Sequence, residues 1–558
     1  MPPEPLISAR RRIARGAQVL ALLATSAVSC FAGARAPDSP YVYAHHGVST
    51  AITSAQAAFD RGLTLIYAYQ EEEAERAFRH AARLDPSLAM AWWGVAMALG
   101  PDINNAPEAK QTVKAAKAIG RARLLVARRG TPAERDYIEA LAARYSDAAT
   151  PDFDALAIAY RDRMRALTHQ YPGDPDAAAL FAEAIMDVHP WRLWTYDAQP
   201  AEGTTELVAV LEAGLREHPE HVGLEHFYIH AVEASNDPGR ALTAARRLAA
   251  THFEAAAAHL VHMPAHTFLR VGDWAAAEQA NEHAVHHALD FRVSLDPGAK
   301  NACGHCLDFL AYVYSMEGNY AGARRAADSL TVIRSNSTGL IQVLARFHRY
   351  EELLALPEPS PEKVPDAADP HVVRATWRYG RAVARLGTDD LDGAATEFEL
   401  LKAEVALAPP KPEFAAERPD IAQVYDKLGA ATDADVLDIE VLLVGAGLAA
   451  ARSDAAAAIA GLRAAVEVQD RSQYSEPPPW LYPLRETLAA ALMRSRASGE
   501  AVEVLRDCLR RVPHDPRATI GLQAALLATG RGAEARAFDS EIAAARARAD
   551  SPLALEDY

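Results

Sequence analysis

The sequence predicts an all-α solenoid of stacked helix-turn-helix units. Beyond residue 50, hydrophobic residues recur with a helical period, and alternating Val/Ile/Thr runs are almost absent. Alanine is frequent, which suits close helix–helix packing. A repeat of about 34 residues recurs along the chain. Residues 55–88 carry it most fully, with Gly62 at repeat position 8, Ala74, Phe78 and Ala81 at 20, 24 and 27, and Pro86 at 32. Small residues stand where paired helices cross, and proline stands where the second helix must stop. This is the tetratricopeptide (TPR) pattern. Ala501, Leu505, Cys508 and Pro513 hold the same offsets, and Gly272-Asp273-Trp274 and Gly318-Asn319-Tyr320 mark two further turns.

Composition sets the outer limits. The 558 residues carry 57 basic and 74 acidic side chains, a net charge of −17. That balance argues against a binder of nucleic-acid phosphates, which needs a basic face. Four cysteines cannot form a disulfide framework for a chain this long. Only the N-terminus approaches membrane hydrophobicity, so no membrane span is expected in the mature chain.

The N-terminus reads as an export signal, residues 1–36. Arg10, Arg11, Arg12 and Arg15 precede an apolar run from Val19 to Ala32 that is short for a span. Ala32-Gly33-Ala34 offers a cleavage site. Ala27-Val28-Ser29-Cys30 resembles a lipobox and would make Cys30 a lipid anchor, and the arginines loosely resemble a twin-arginine signal. The expected location is periplasmic, free or lipid-anchored. An N-terminal array spans 37–356, a Pro-rich linker 357–370, a C-terminal array 371–545 and a tail 546–558. A second Pro-rich stretch, 409–419, interrupts the C-terminal array.

Residues 221–308 hold 11 of the 20 histidines. Anchoring the turn position at Asn236, Gly272 and Gly318 starts the first helices near Val222, Ala258 and Gly304. His226 and His230 then occupy positions 5 and 9 of one unit, and His262 and His266 the same positions of the next. His305 takes position 2 of the third and Asp308 position 5. Positions 2, 5 and 9 of a TPR first helix face the concave groove. Residues four apart share a helix face, and packed neighbours lie about 8–10 Å apart. Two pairs of imidazoles can therefore converge on one metal ion or a close pair. Asp308 or Asp187 is expected to complete or orient the set. His45 and His46 are further candidates, on an N-terminal arm. Pro264 falls inside the predicted helix and either kinks it or starts a shorter one. His283, His286 and His287 belong to a second helix and are expected to be solvated or structural.

Cys303-Gly304-His305-Cys306 has dithiol spacing, but helical repeats surround it instead of a βαβ unit. A local disulfide, thiolate metal ligands and redox chemistry all remain open for Cys303 and Cys306. Cys508 sits at a packing position. Trp191 and Trp194 follow Asp187 and either wall the groove or belong to the core. Glu476-Pro477-Pro478-Pro479-Trp480 is expected to brace the array near the groove mouth. No phosphate loop, nucleophile elbow or His-Glu-x-x-His occurs.

Several segments together resemble a family of large bacterial TPR proteins with no settled activity. They are His45-His46 with Ser49-Thr50, Ala91 to Gly94 through Asn104-Asn105, His226 to Ser235, His259-Leu260-Val261-His262-Met263-Pro264-Ala265-His266, and Glu476 to Pro483. The resemblance implies an all-helical fold. Where relatives carry His-Asn-x-His-Phe-Leu, this chain has His305-Cys306-Leu307-Asp308-Phe309-Leu310, so Asp308 replaces a histidine; Asp102 replaces another.

The expectation is an exported protein with a histidine-rich transition-metal site, copper or iron ahead of zinc, and oxidoreductase chemistry on a small-molecule or peptide ligand in the groove. A zinc hydrolase is the variant, with a carboxylate as general base. The competing expectation is a non-catalytic scaffold that binds a peptide or protein partner.

Overall fold

The computed structural model describes Tyr41, 43–292, 299–360, Val364, 368–412 and 421–555. The signal segment and Cys30 lie outside these residues, as do parts of both Pro-rich stretches. Helices occupy most of the described chain, and no β-strand occurs among the described residues. Successive helices pack as neighbours in sequence order. The fold is an all-α, TPR-like solenoid, and Tyr41–Tyr558 form one compact unit.

The first repeat shows why these residues make these pairs. Helices Thr53–Ile66, Glu71–Leu84 and Ala89–Met97 meet around the buried ring of Phe78. A Cβ on Gly62 would lie 2.7 Å from that ring, and one on Gly94 2.3 Å from it. Glycine is thus required on both flanking helices by close approach. Side-chain caps fix many helix starts. Asp174 accepts from the backbone N–H of Asp176 and Ala177, and Thr131 forms a capping box with Glu134.

The array does not stay open. Its C-terminal repeats fold back onto the histidine-bearing ones. The Trp274 indole donates to the His514 carbonyl at 2.9 Å, and buried Arg517 donates to the Ser315 carbonyl at 3.0 Å. Ser551 donates to the Gly318 carbonyl, and Arg548 pairs with Glu278 and Glu317. Gly272 has φ 74°, and a Cβ there would sit 2.0 Å from the Pro513 carbonyl oxygen. The turn and the closure both demand glycine at this position.

Candidate metal centre

Three first helices build the site. Helix Val222–Glu233 carries His226 and His230, both buried. The next first helix is broken: Ala258–His262 and Pro264–Val271 meet at Met263, which keeps right-handed helical angles. Pro264 therefore occupies the first position of the second half, where its missing N–H costs nothing. His262 ends the first half instead of lying in a loop. The starts at Val222 and Ala258 match the repeat register. The third helix begins at Ala299, five residues before the expected Gly304.

Six histidines converge. The donor atoms of His226, His230 and His259 lie within 4.8 Å of one another, and so do those of His262, His266 and His305. The two triads touch: the His230 and His266 ring centroids are 5.6 Å apart, and those of His259 and His262 6.0 Å. Two carboxylates join them. Glu233 takes His230 Nδ1 at 2.9 Å and His266 Nδ1 at 2.6 Å, and Glu476 reaches His266 Nδ1 at 2.9 Å.

The Nδ1 partners decide which ring nitrogen is free. His226 Nδ1 meets the Tyr67 carbonyl at 2.6 Å, an acceptor only. His262 Nδ1 meets Asn281 Oδ1 at 2.7 Å, and the Asn281 amide nitrogen donates to the Ala277 carbonyl, which fixes the amide orientation. With the two rings held by carboxylates, four imidazoles each donate Nδ1–H and turn Nε2 inward. His266 Nε2 lies 2.9 Å from His262 Nε2, and His226 Nε2 3.1 Å from His259 Nε2. His230 Nε2 is buried with no hydrogen-bond partner. At 2.9 Å a protonated His266 donates its Nε2–H to the His262 Nε2 lone pair, the place that a metal ion would take.

Burial and crowding keep most of these rings neutral. Burial and neighbouring imidazoles hold His226, His259 and His262 well below the usual value, and His305 falls to about 3. His266 is the exception. Burial lowers it, but Glu233 and Glu476 outweigh that and raise it to about 10. Burial alone would raise Glu233, yet His266 and His230 bring it down to about 2; burial pushes Glu476 up to about 7.

A cavity of about 1030 Å³ opens in front of the cluster. His230, His259, His266 and His305 form one wall, with Tyr69, Trp191, Tyr474 and Glu476 beside them. The Trp191 ring stands edge-on to His230 at 5.6 Å. Trp194 instead anchors the core, its indole donating to the Ala231 carbonyl.

The other expected residues lie elsewhere. Asp308 pairs with Arg334 on the following helix and joins neither triad. Asp187 is buried against Arg144, and burial raises its carboxyl to about 7. Exposed His45 pairs with Asp60, and His46 pairs with Asp176. Cys306 is buried, while the side chain of Cys303 lies outside the described residues. His283 and His286, on helix Trp274–Arg292, belong to neither triad. Two participants were overlooked. His259 holds position 2 of its repeat, the position that placed His305, so the register already contained it. Glu476 comes from the far array, beyond the reach of any local pattern.

No family model matches the chain, and no curated protein does. Among solved structures it is similar to a human IFIT1 dimer with PPP-AAAA, at 12% identity and TM-score 0.33, covering 88% of this chain and 92% of that one. It is similar also to yeast Tom70, at 12% identity and TM-score 0.29, covering 89% and 96%. A third is the APC/C hetero-tetramer Cut9-Hcn1, at 11% identity and TM-score 0.31, covering 85% and 76%. The fold assignment rests on the helix pairs of this chain itself. No helix among the described residues is long and apolar enough to cross a membrane.

Proposed function

We propose that this chain is an exported metalloprotein that holds two transition-metal ions, one per histidine triad, and uses them as an oxidoreductase on a ligand in the adjoining cavity. One observation carries the reading: four imidazoles are each pinned through Nδ1 by a fixed acceptor, which leaves Nε2 to the cluster, His262 facing His266 at 2.9 Å and His226 facing His259 at 3.1 Å. Metal-ligating histidines are held in this way. Donors on one ion sit roughly 3–3.5 Å apart for metal–nitrogen bonds of about 2.0–2.1 Å. Separations within 4.8 Å need only small side-chain rotations to reach that. An all-imidazole donor set suits copper, iron or zinc.

Copper or non-haem iron in such a site would supply electron transfer to or from the bound ligand. The chain's own residues do the rest. Glu233 orients one ring of each triad and so couples them. Asn281 and the Tyr67 carbonyl fix two more rings. Trp191 and Tyr69 shield the histidine wall from water.

The test is elemental analysis of the mature chain purified without chelator or affinity nickel. About two Cu or Fe ions per chain are expected. A folded protein that neither contains nor takes up Cu, Fe or Zn overturns the reading, and partner capture on the groove then becomes the next experiment. Two tightly held zinc ions with no redox activity would favour the hydrolytic variant.

A further inference from the structure

The cavity lining is also acidic. Glu71, Glu72, Glu73, Glu108, Asp433 and Glu476 line the cavity, and none of the described residues lining it is Lys or Arg. Arg76 offsets Glu72 and Glu73 from outside. Glu71 has no such relief. It is pressed against Asp102, and burial and that neighbour push its carboxyl well up. Behind it, Glu183 and Asp187 share Arg144, and each keeps one buried oxygen without a hydrogen-bond partner. This end of the cavity therefore carries more carboxylates than cations.

A separate observation points to a ligand. Tyr69 lines the cavity, and its buried hydroxyl has no hydrogen-bond partner. A buried phenol is ordinarily hydrogen-bonded. Tyr69 and Trp191 also hold left-handed backbone, φ 49° and 57°. Bulky residues adopt this conformation only where surrounding structure enforces it. Both aromatic rings are thereby held beside the cavity, where they can face a cation.

We infer that the cavity takes an organic cation, a molecule or peptide side chain bearing a protonated amine, with its ammonium between Glu71 and the Tyr69 hydroxyl and its remaining chain directed at the histidine wall. The ammonium donates to the Glu71 carboxylate and the Tyr69 oxygen, supplying the positive charge that this end of the cavity lacks. This ligand class rests on the reading of the histidines as the reactive end, but its binding does not require metal. Entry of a fixed cation also favours ionised Glu71, so uptake releases a proton.

The experiment is calorimetric titration with spermidine and with a blocked Gly-Lys-Gly tripeptide, beside uncharged 1,8-octanediol and dianionic suberate. Metal content is measured on the same samples. Either amine is expected to bind, the diol and the diacid are not, and affinity should fall steeply between 20 and 200 mM salt, roughly as screening grows. Glu71→Gln and Tyr69→Phe should each weaken binding about tenfold, the scale of one charge-assisted hydrogen bond, with metal content retained. Spermidine alone binding identifies a free polyamine, and the tripeptide alone a lysyl side chain. Amines that bind no better than octanediol at 20 mM salt overturn the inference, whatever the variants do. Metal-loaded protein that ignores amines defeats the ligand class and spares the metal reading; metal-free protein that binds them does the reverse.

Discussion

Two histidine networks meet at Tyr67, and they obey opposite rules. In one, Asp176 receives His46 Nδ1 at 2.8 Å, His221 Nε2 at 3.0 Å and the Tyr67 hydroxyl at 2.5 Å. His221 Nδ1 accepts the Leu224 N–H. Three donors converge on one carboxylate, and the network locks the N-terminal arm to helix Pro175–Met186. In the other, the Tyr67 carbonyl holds His226, and of six clustered imidazoles only His230 and His266 reach a carboxylate. Lone pairs there outnumber protons. Counting donors against acceptors thus separates the two networks where residue type and burial do not.

The largest expected effect breaks the second network. His262→Ala with His266→Ala should remove one triad and lower metal from about two ions per chain to one, read by elemental analysis of the folded variant. Loss of both ions would indicate a single shared site and cancel the two-triad division.

The first network should respond in stability alone. Asp176→Ala leaves buried imidazoles unpaired and should cost about 3 kcal/mol, seen as a lowered Tm with metal content unchanged. Its pH dependence has a definite sign. His46 lies above its ordinary value, Asp176 outweighing burial, so its contribution is complete below about 6.5 and lost as pH rises through the raised value. Asp176 lies below its ordinary value, since His221 and His46 outweigh burial; its contribution holds above about pH 4 and fails only as acid protonates it. The Tm gap between wild type and Asp176→Asn should therefore be widest near pH 5–6 and narrow above pH 7. A gap that widens with alkalinity would contradict the assigned pairing.

A smaller effect sharpens the contrast. Asn281→Ala touches no metal but frees His262 to rotate. Metal affinity should fall about 10–100-fold, measured by competition with a chelator, with little change in Tm once metal is bound. The smallest concerns Asp308. Its partly exposed pair with Arg334 is worth under about 1 kcal/mol, so Asp308→Ala should keep its metal and nearly all its stability.

The sequence by itself determined the helical periodicity, the repeat and its register. Those are local properties, set by 3.6-residue spacing, by small residues at crossings such as Gly62, and by glycine turns such as Gly272. They placed His226, His230, His262 and His266 on inner faces, and they contained His259 as well, had position 2 been read for that unit as it was for His305. The tertiary structure alone decided the rest. Asp308 was assigned by counting from Gly304, as His305 was, but the neighbouring helix supplies Arg334, which takes the carboxylate. Asp187 is claimed by Arg144 in the same way. Glu476 enters because the C-terminal repeats close onto the central ones at Gly272 and Gly318, two hundred residues away along the chain. A repeat pattern encodes contacts between neighbours in sequence; which side chains finally share a carboxylate, a proton or a metal ion depends on where the ends of the array meet.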